Sequence, residues 1–180
     1  MVTIKRIAFF SLFFFFFLIL FNLLSFAKAN QNTILIKKFY EIGQAKLKFF
    51  GYTLYDVKLL SDDNIFSFDN EIKIIITYNS NFSKSQIIET SLDQIYKQNK
   101  SYPNSHINKY RKYLDKSIVN INKGDKMMAH FFNKKIIFYH NKKLVHAIYD
   151  DQFAIDFLKI WLGDNSSYPK LTKQLLNINE

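Results

Sequence analysis

The chain has 180 residues, 25 of them lysine or arginine against 15 acids, for a formal net charge of +10. It contains no cysteine, which excludes disulfides and every cysteine-based metal or redox centre. Its four glycines are too scattered for a glycine-rich phosphate loop, and no Gly-x-Ser-x-Gly nucleophile motif occurs.

The N-terminus reads as an export signal. Lys5 and Arg6 form a basic segment, an apolar run follows from Ile7 to Phe26, and Ala27-Lys28-Ala29 supplies the small-x-small pattern of a cleavage site. The rival reading is an uncleaved membrane anchor, since a run of this length just spans a bilayer. Cleavage after residue 29 leaves residues 30–180, one domain's worth of chain, in a periplasmic or otherwise exported location. Three of the net positive charges, Lys5, Arg6 and Lys28, leave with the signal, so the remaining domain is +7. Almost all of its basic residues are lysine, with Arg111 the single arginine, whereas phosphate and base-edge recognition favours the arginine fork. Scattered solvated lysines are expected, no nucleic-acid partner, and contact with a membrane only through the signal segment before cleavage.

The first part of the domain predicts strands. Ile34, Ile36 and Phe39 open an apolar run that Gly43 breaks. Ala45, Leu47 and Phe49 then alternate with Lys46 and Lys48, the period of a half-buried strand. Gly51 marks a bend, Tyr52 to Leu60 resumes the strand pattern, and Ser61-Asp62-Asp63-Asn64 is a turn cluster. Glu71 to Tyr78 holds a β-branched run suited to a central strand.

Two helices follow. Ser83 and Gln86 fit a capping box, with Ile88, Leu92, Ile95 and Tyr96 on one helical face. Ser101 to Asn104 is a breaker, after which Ser105 is the expected cap of a helix carrying Ile107, Tyr110, Leu114 and Ile118. Short strands are predicted at 127–132, 136–140 and 144–148, with Asn133-Lys134 and Asn141-Lys142 at hairpin spacing between them. Asp150 or Asp151 caps a helix whose apolar side holds Phe153, Phe157, Leu158, Trp161 and Leu162 and which Gly163 stops. Pro169 suits the first turn of a last helix. Strands, then helices, then a strand meander, then helices indicate an α+β domain: a largely antiparallel sheet covered by a layer of helices.

Three segments in this order carry a family resemblance. They are Gly43 to Leu59, with its Leu-Lys-aromatic-x-Gly core; Tyr78 to Ser83, with Glu89 and Ser91 beyond it; and Gly124 to Leu162, through Phe138-Tyr139-His140 and Phe157-Leu158-Lys159-Ile160-Trp161. Together they resemble the bacterial branch of the chalcone isomerase-like proteins, which are mostly exported. The resemblance implies an open-faced sandwich of one sheet and one helix layer. It also implies one of two roles: ring-closing isomerase chemistry, or the binding of fatty acids without chemistry.

The plant isomerases of this family use an arginine to stabilise an oxyanion and a tyrosine and an asparagine to hold substrate. In this sequence the resemblance puts Phe82 at the tyrosine and Glu89 at the asparagine, and the basic position of the first motif is Lys48. The hydroxyl and the amide are therefore missing, and a non-catalytic binder of an apolar or amphipathic molecule such as a fatty acid is the expected function. An isomerase-type enzyme and an envelope interaction module are the alternatives. The expected ligand-binding residues are Lys48, Tyr55, Tyr78 and Phe82, in an apolar cleft that needs few polar groups. No catalytic residue, cofactor or metal is expected. His130, His140 and His146 fall on successive strands without an acidic partner at ligand spacing.

The export reading has a direct check. N-terminal sequencing of the protein from the envelope fraction is expected to begin at Asn30, and a full-length chain held in the inner membrane contradicts it.

Overall fold

The computed structural model describes residues 37–178. The signal segment and the run around Ile34 and Ile36 lie outside the described residues. From Lys38 onward the described residues form a compact unit, and its buried apolar residues all fall between Ala45 and Leu175.

Six strands, β1 (Tyr40–Phe49), β2 (Tyr52–Ser61), β3 (Ile72–Tyr78), β4 (Lys126–Phe132), β5 (Lys135–His140) and β6 (Lys143–Ile148), form one sheet. They pair in sequence order, every neighbour antiparallel. Helices α1 (Lys84–Gln98) and α2 (Asn104–Ser117) are inserted between β3 and β4, which nevertheless pair directly. Helices α3 (Asp151–Leu162) and α4 (Pro169–Leu175) follow β6. The architecture is therefore α+β, an antiparallel sheet with helices against its apolar face.

Alternation decides which face that is. In β3, Ile72, Ile74, Ile76 and Tyr78 are buried while the residues between them are half-exposed. Met127, Ala129 and Phe131 continue the pattern in β4, and Ile136 and Phe138 in β5. A one-residue slip in any strand would turn this set to the opposite side, so the burial pattern holds the register.

Local chemistry explains the connections. Ser83 caps α1 in a full capping box with Gln86, and Asp150 caps α3 by accepting from the Phe153 amide at 3.1 Å. All three two-residue hairpins turn through left-handed backbone, at Phe50-Gly51, Asn133-Lys134 and Asn141-Lys142.

Two expectations need correction, and a third, the stop at Gly163, holds for a different reason. Gly43 does not break β1 but lies inside it, at a register shift opposite β2. A Cβ there would come within 2.5 Å of the carbonyl oxygens of Gln174 and Leu175, so glycine is needed for the close approach of α4. Helix α2 starts one residue before Ser105: Pro103 is its N-cap, and no side chain caps it. Gly163 ends α3 with φ −83°, outside the left-handed region. It is needed there for space, since a Cβ would meet Gln98 Oε1 at 2.6 Å and the Lys159 carbonyl at 2.8 Å.

Asp156 on α3 is 1 % exposed and accepts hydrogen bonds from Tyr102 (2.9 Å), Tyr110 (2.8 Å) and Gln152 (3.0 Å). Burial, with Asp156 alongside, pushes the Tyr102 phenol up to about 12 and the Tyr110 phenol higher still. Both stay neutral donors, which a buried carboxylate requires.

Gly43→Ala is expected to destabilise the domain by about 1–3 kcal/mol, the usual cost of forcing atoms into a packed site. Urea unfolding measures it, and an unchanged midpoint would show that α4 moves aside freely.

Candidate functional site

The helix layer covers the sheet without filling the space beneath it. Between β1–β5 and helices α1 and α3 lies a cavity of about 310 Å3, at the small end of the range for ligand pockets. Its floor is the apolar face of the sheet, with Leu47 and Leu54 at the β1–β2 end and Ile74 and Ile76 in the middle. Its roof is one face of α1 together with Phe157, Ile160 and Trp161 of α3. Among the described residues, the lining contains no carboxylate, imidazole, ammonium or guanidinium group.

Three of the four expected binding residues meet here. Tyr55, Tyr78 and Phe82 form one aromatic wall, with ring centroids 6.0 Å apart for the first pair and 5.5 Å for the second. Both distances suit favourable ring contact. Alternation on β2 and β3 puts the two tyrosines on the inner face, and Phe82 precedes the cap of α1. The indole of Trp161 donates to Tyr55 Oη at 3.0 Å, which fixes that phenol against α3. Burial raises the pKa of Tyr55 despite this bond, and burial also raises that of Tyr78, with Tyr55 beside it. Both are neutral hydroxyls at any physiological pH.

Lys48 does not join them. It is exposed, pairs across from Thr53, and lies on the rim of a separate open groove beside α4. A bulge between Leu47 and Lys48 re-aims the end of the hairpin. Glu89, at the position the resemblance gives to an asparagine, is likewise outside the cavity: it is exposed and holds Arg111 of α2 in an ion pair. The polar groups of α1 that do line the cavity are neutral: Gln86, Thr90, Ser91 and Gln94.

Sequence reasoning missed Gln94. It is only 5 % exposed, and its Oε1 has no hydrogen-bond partner among the described residues. Such an atom costs free energy unless something donates to it. The signal was available in outline: Gln94 falls on the Ile88-Ser91-Leu92-Ile95 face of an amphipathic helix, a polar residue where an apolar one is expected. From the sequence Trp161 reads only as core, because nothing local pairs it with a residue 106 positions away.

The three strand histidines are not gathered. His130 bonds Glu71 at 2.6 Å and His140 bonds Asp125 at 3.0 Å. No cluster of three metal-binding side chains occurs among the described residues.

Residues 46–177 match the sequence profile of a family described as chalcone isomerase-like. The chain belongs to the chalcone isomerase-like family. A search of curated proteins finds no match. Among solved structures, the chain is similar to a fatty-acid binding protein of Arabidopsis thaliana, with a TM-score of 0.58 and 9% identity over 77% of this chain and 87% of that one. At that identity the likeness concerns the fold, and the six-stranded sheet and helix layer of this chalcone isomerase-like protein agree with it.

Tyr55→Phe removes the acceptor of the Trp161 N–H and leaves that donor buried. The expected loss is about 1–3 kcal/mol in denaturant unfolding. Trp161 is the chain's only tryptophan, so its emission should move to shorter wavelength in the folded variant. An unshifted spectrum contradicts the bond.

Proposed function

We propose that this protein is an exported, non-catalytic binder of an apolar or amphipathic small molecule, with a fatty-acyl-type chain lying in the cavity between sheet and helices. The observation that carries this reading is the lining itself: apolar and aromatic walls, a few neutral polar groups, and no acid or base among the described residues to move a proton. The fold shared with a fatty-acid binding protein supports it. The basic N-terminal segment and apolar run support export.

In this reading the chain of the ligand lies over Leu47, Ile74, Ile76 and Phe157. Its polar head faces Tyr78, whose hydroxyl carries no hydrogen bond among the described residues, and Gln94 Oε1. A neutral head suits these partners. A carboxylate buried there would have no cation, and so would stay at the mouth or bind as the undissociated acid.

Trp161 gives the readout. Titrating the chain from Asn30 with oleyl alcohol and with oleate should change its emission saturably, and displace a fluorescent fatty acid. At pH 8 the alcohol is expected to bind no more weakly than the acid. Tyr78→Phe should weaken the alcohol by roughly tenfold, the worth of one buried hydrogen bond. Lys48→Met should leave both unchanged. If neither molecule alters the emission nor displaces the probe, the binding reading fails. Chalcone supplied to the same protein should cyclise no faster than in buffer, and turnover above that rate would favour the isomerase alternative.

A further inference from the structure

We propose that the β1–β2 hairpin tip and the lysine-lined groove beside it form a docking surface for an anionic lipid bilayer. Two independent features of the molecule point to it.

The first is the tip. Phe49, Phe50 and Tyr52 are 59, 85 and 78 % exposed, which puts three large aromatics together around Gly51. Phe50 takes a left-handed φ of 46°, a conformation costly for a bulky residue. The chain solves the same turn differently elsewhere. Asn133 and Asn141 occupy the equivalent first turn position in the other two hairpins, with φ 48° and 47°. Asparagine tolerates that backbone at little cost, so stability does not account for a phenylalanine at the first turn. Exposed aromatics at a projecting tip suit the boundary between lipid headgroups and chains.

The second feature is charge. The groove is lined by Lys46, Lys48, Lys58, Lys126, Lys170 and Lys173, with Asp56 its one acid. Lys46 is paired to Asp56 and Lys58 to Glu41. Lys48, Lys126, Lys170 and Lys173 have no carboxylate partner among the described residues. Lys48 directly precedes Phe49, and Lys46 is two residues before Lys48, about 7 Å along the strand. Lysine ammonium groups and aromatic rings therefore share one end of the molecule. That pairing is complementary to anionic headgroups over an apolar interior.

The surface also adjoins the cavity. Leu47 and Leu54, just behind the tip of the same hairpin, line it. Docking would bring that end of the cavity to the membrane, where apolar ligands reside. The docking itself does not depend on any ligand being bound.

The test uses the ligand-free chain from Asn30, whose described core lies wholly within residues 45–175. It is sedimented with vesicles of phosphatidylcholine alone and of phosphatidylcholine mixed with phosphatidylglycerol. Binding is expected to the mixed vesicles and to fall as salt is added. Phe50→Asn should lower the partition coefficient by roughly tenfold. It should leave the melting temperature no lower and leave displacement of the fluorescent fatty acid unchanged. Lys48→Gln, at an exposed site, should lower partition by about fivefold. The proposal is overturned by a lack of binding to mixed vesicles, by equal salt-insensitive binding to both compositions, or by partition that neither variant changes. Dimerisation that Phe50→Asn abolishes, without vesicle binding, also overturns it and gives the tip to a second copy of this chain.

Discussion

The hydrogen bond from Trp161 to Tyr55 ties the layers of this domain together. It joins α3, which follows the last strand, to β2, which belongs to the first hairpin. Around it runs a connected set of rings. Tyr110 meets Phe153, Phe153 meets Phe157, and Phe157 meets both Phe138 of β5 and Trp161. Tyr55 then leads to Tyr78 and Phe82 at the start of α1. Large rigid rings hold helices off the sheet at a set height. Phe153 and Tyr110 close one end of the series, and the cavity opens along Phe138, Phe157, Trp161, Tyr55, Tyr78 and Phe82.

The polar chemistry is sorted to match. The charged group that must be buried, Asp156, faces away from the cavity and is satisfied by two phenols and an amide. Glu89 and Arg111 hold each other at the surface. What reaches the cavity is neutral: the phenols of Tyr55, Tyr78 and Tyr168, burial suppressing the ionisation of the first two, the hydroxyls of Thr90 and Ser91, and the Gln86 and Gln94 amides. A low-dielectric space lined this way solvates apolar chains well and charges poorly. The same hairpin contributes apolar residues inward, at Leu47 and Leu54, and aromatic and basic residues outward, at Phe49, Phe50 and Lys48. One strand pair thus belongs both to the cavity and to the most exposed apolar surface of the domain.

Much of this was legible from the sequence, and for physical reasons. Strand alternation, the Ser83–Gln86 capping box, the asparagine hairpins and the apolar stripe of α3 are local patterns, each decided by backbone geometry within a few residues. They determined the α+β class and the order of elements. The aromatic residues of the motifs around Tyr55 and Tyr78 marked the cavity wall, because alternation puts both on the face that must be covered.

Long-range contact decided the rest. Gly43 reads as a breaker until α4 is laid across it, when the carbonyls of Gln174 and Leu175 show why no side chain fits. Lys48 reads as the cation of a binding site, yet the bulge beside it and its outward face place it with the lysines of the groove. Gln94 acquires its meaning only from what lies opposite, an apolar floor with no donor for its oxygen. The sequence by itself determined the elements, their amphipathic faces and the family. Only the tertiary structure decided which residues share the cavity, because that depends on how far the aromatic side chains of α3 hold the helix layer from the sheet.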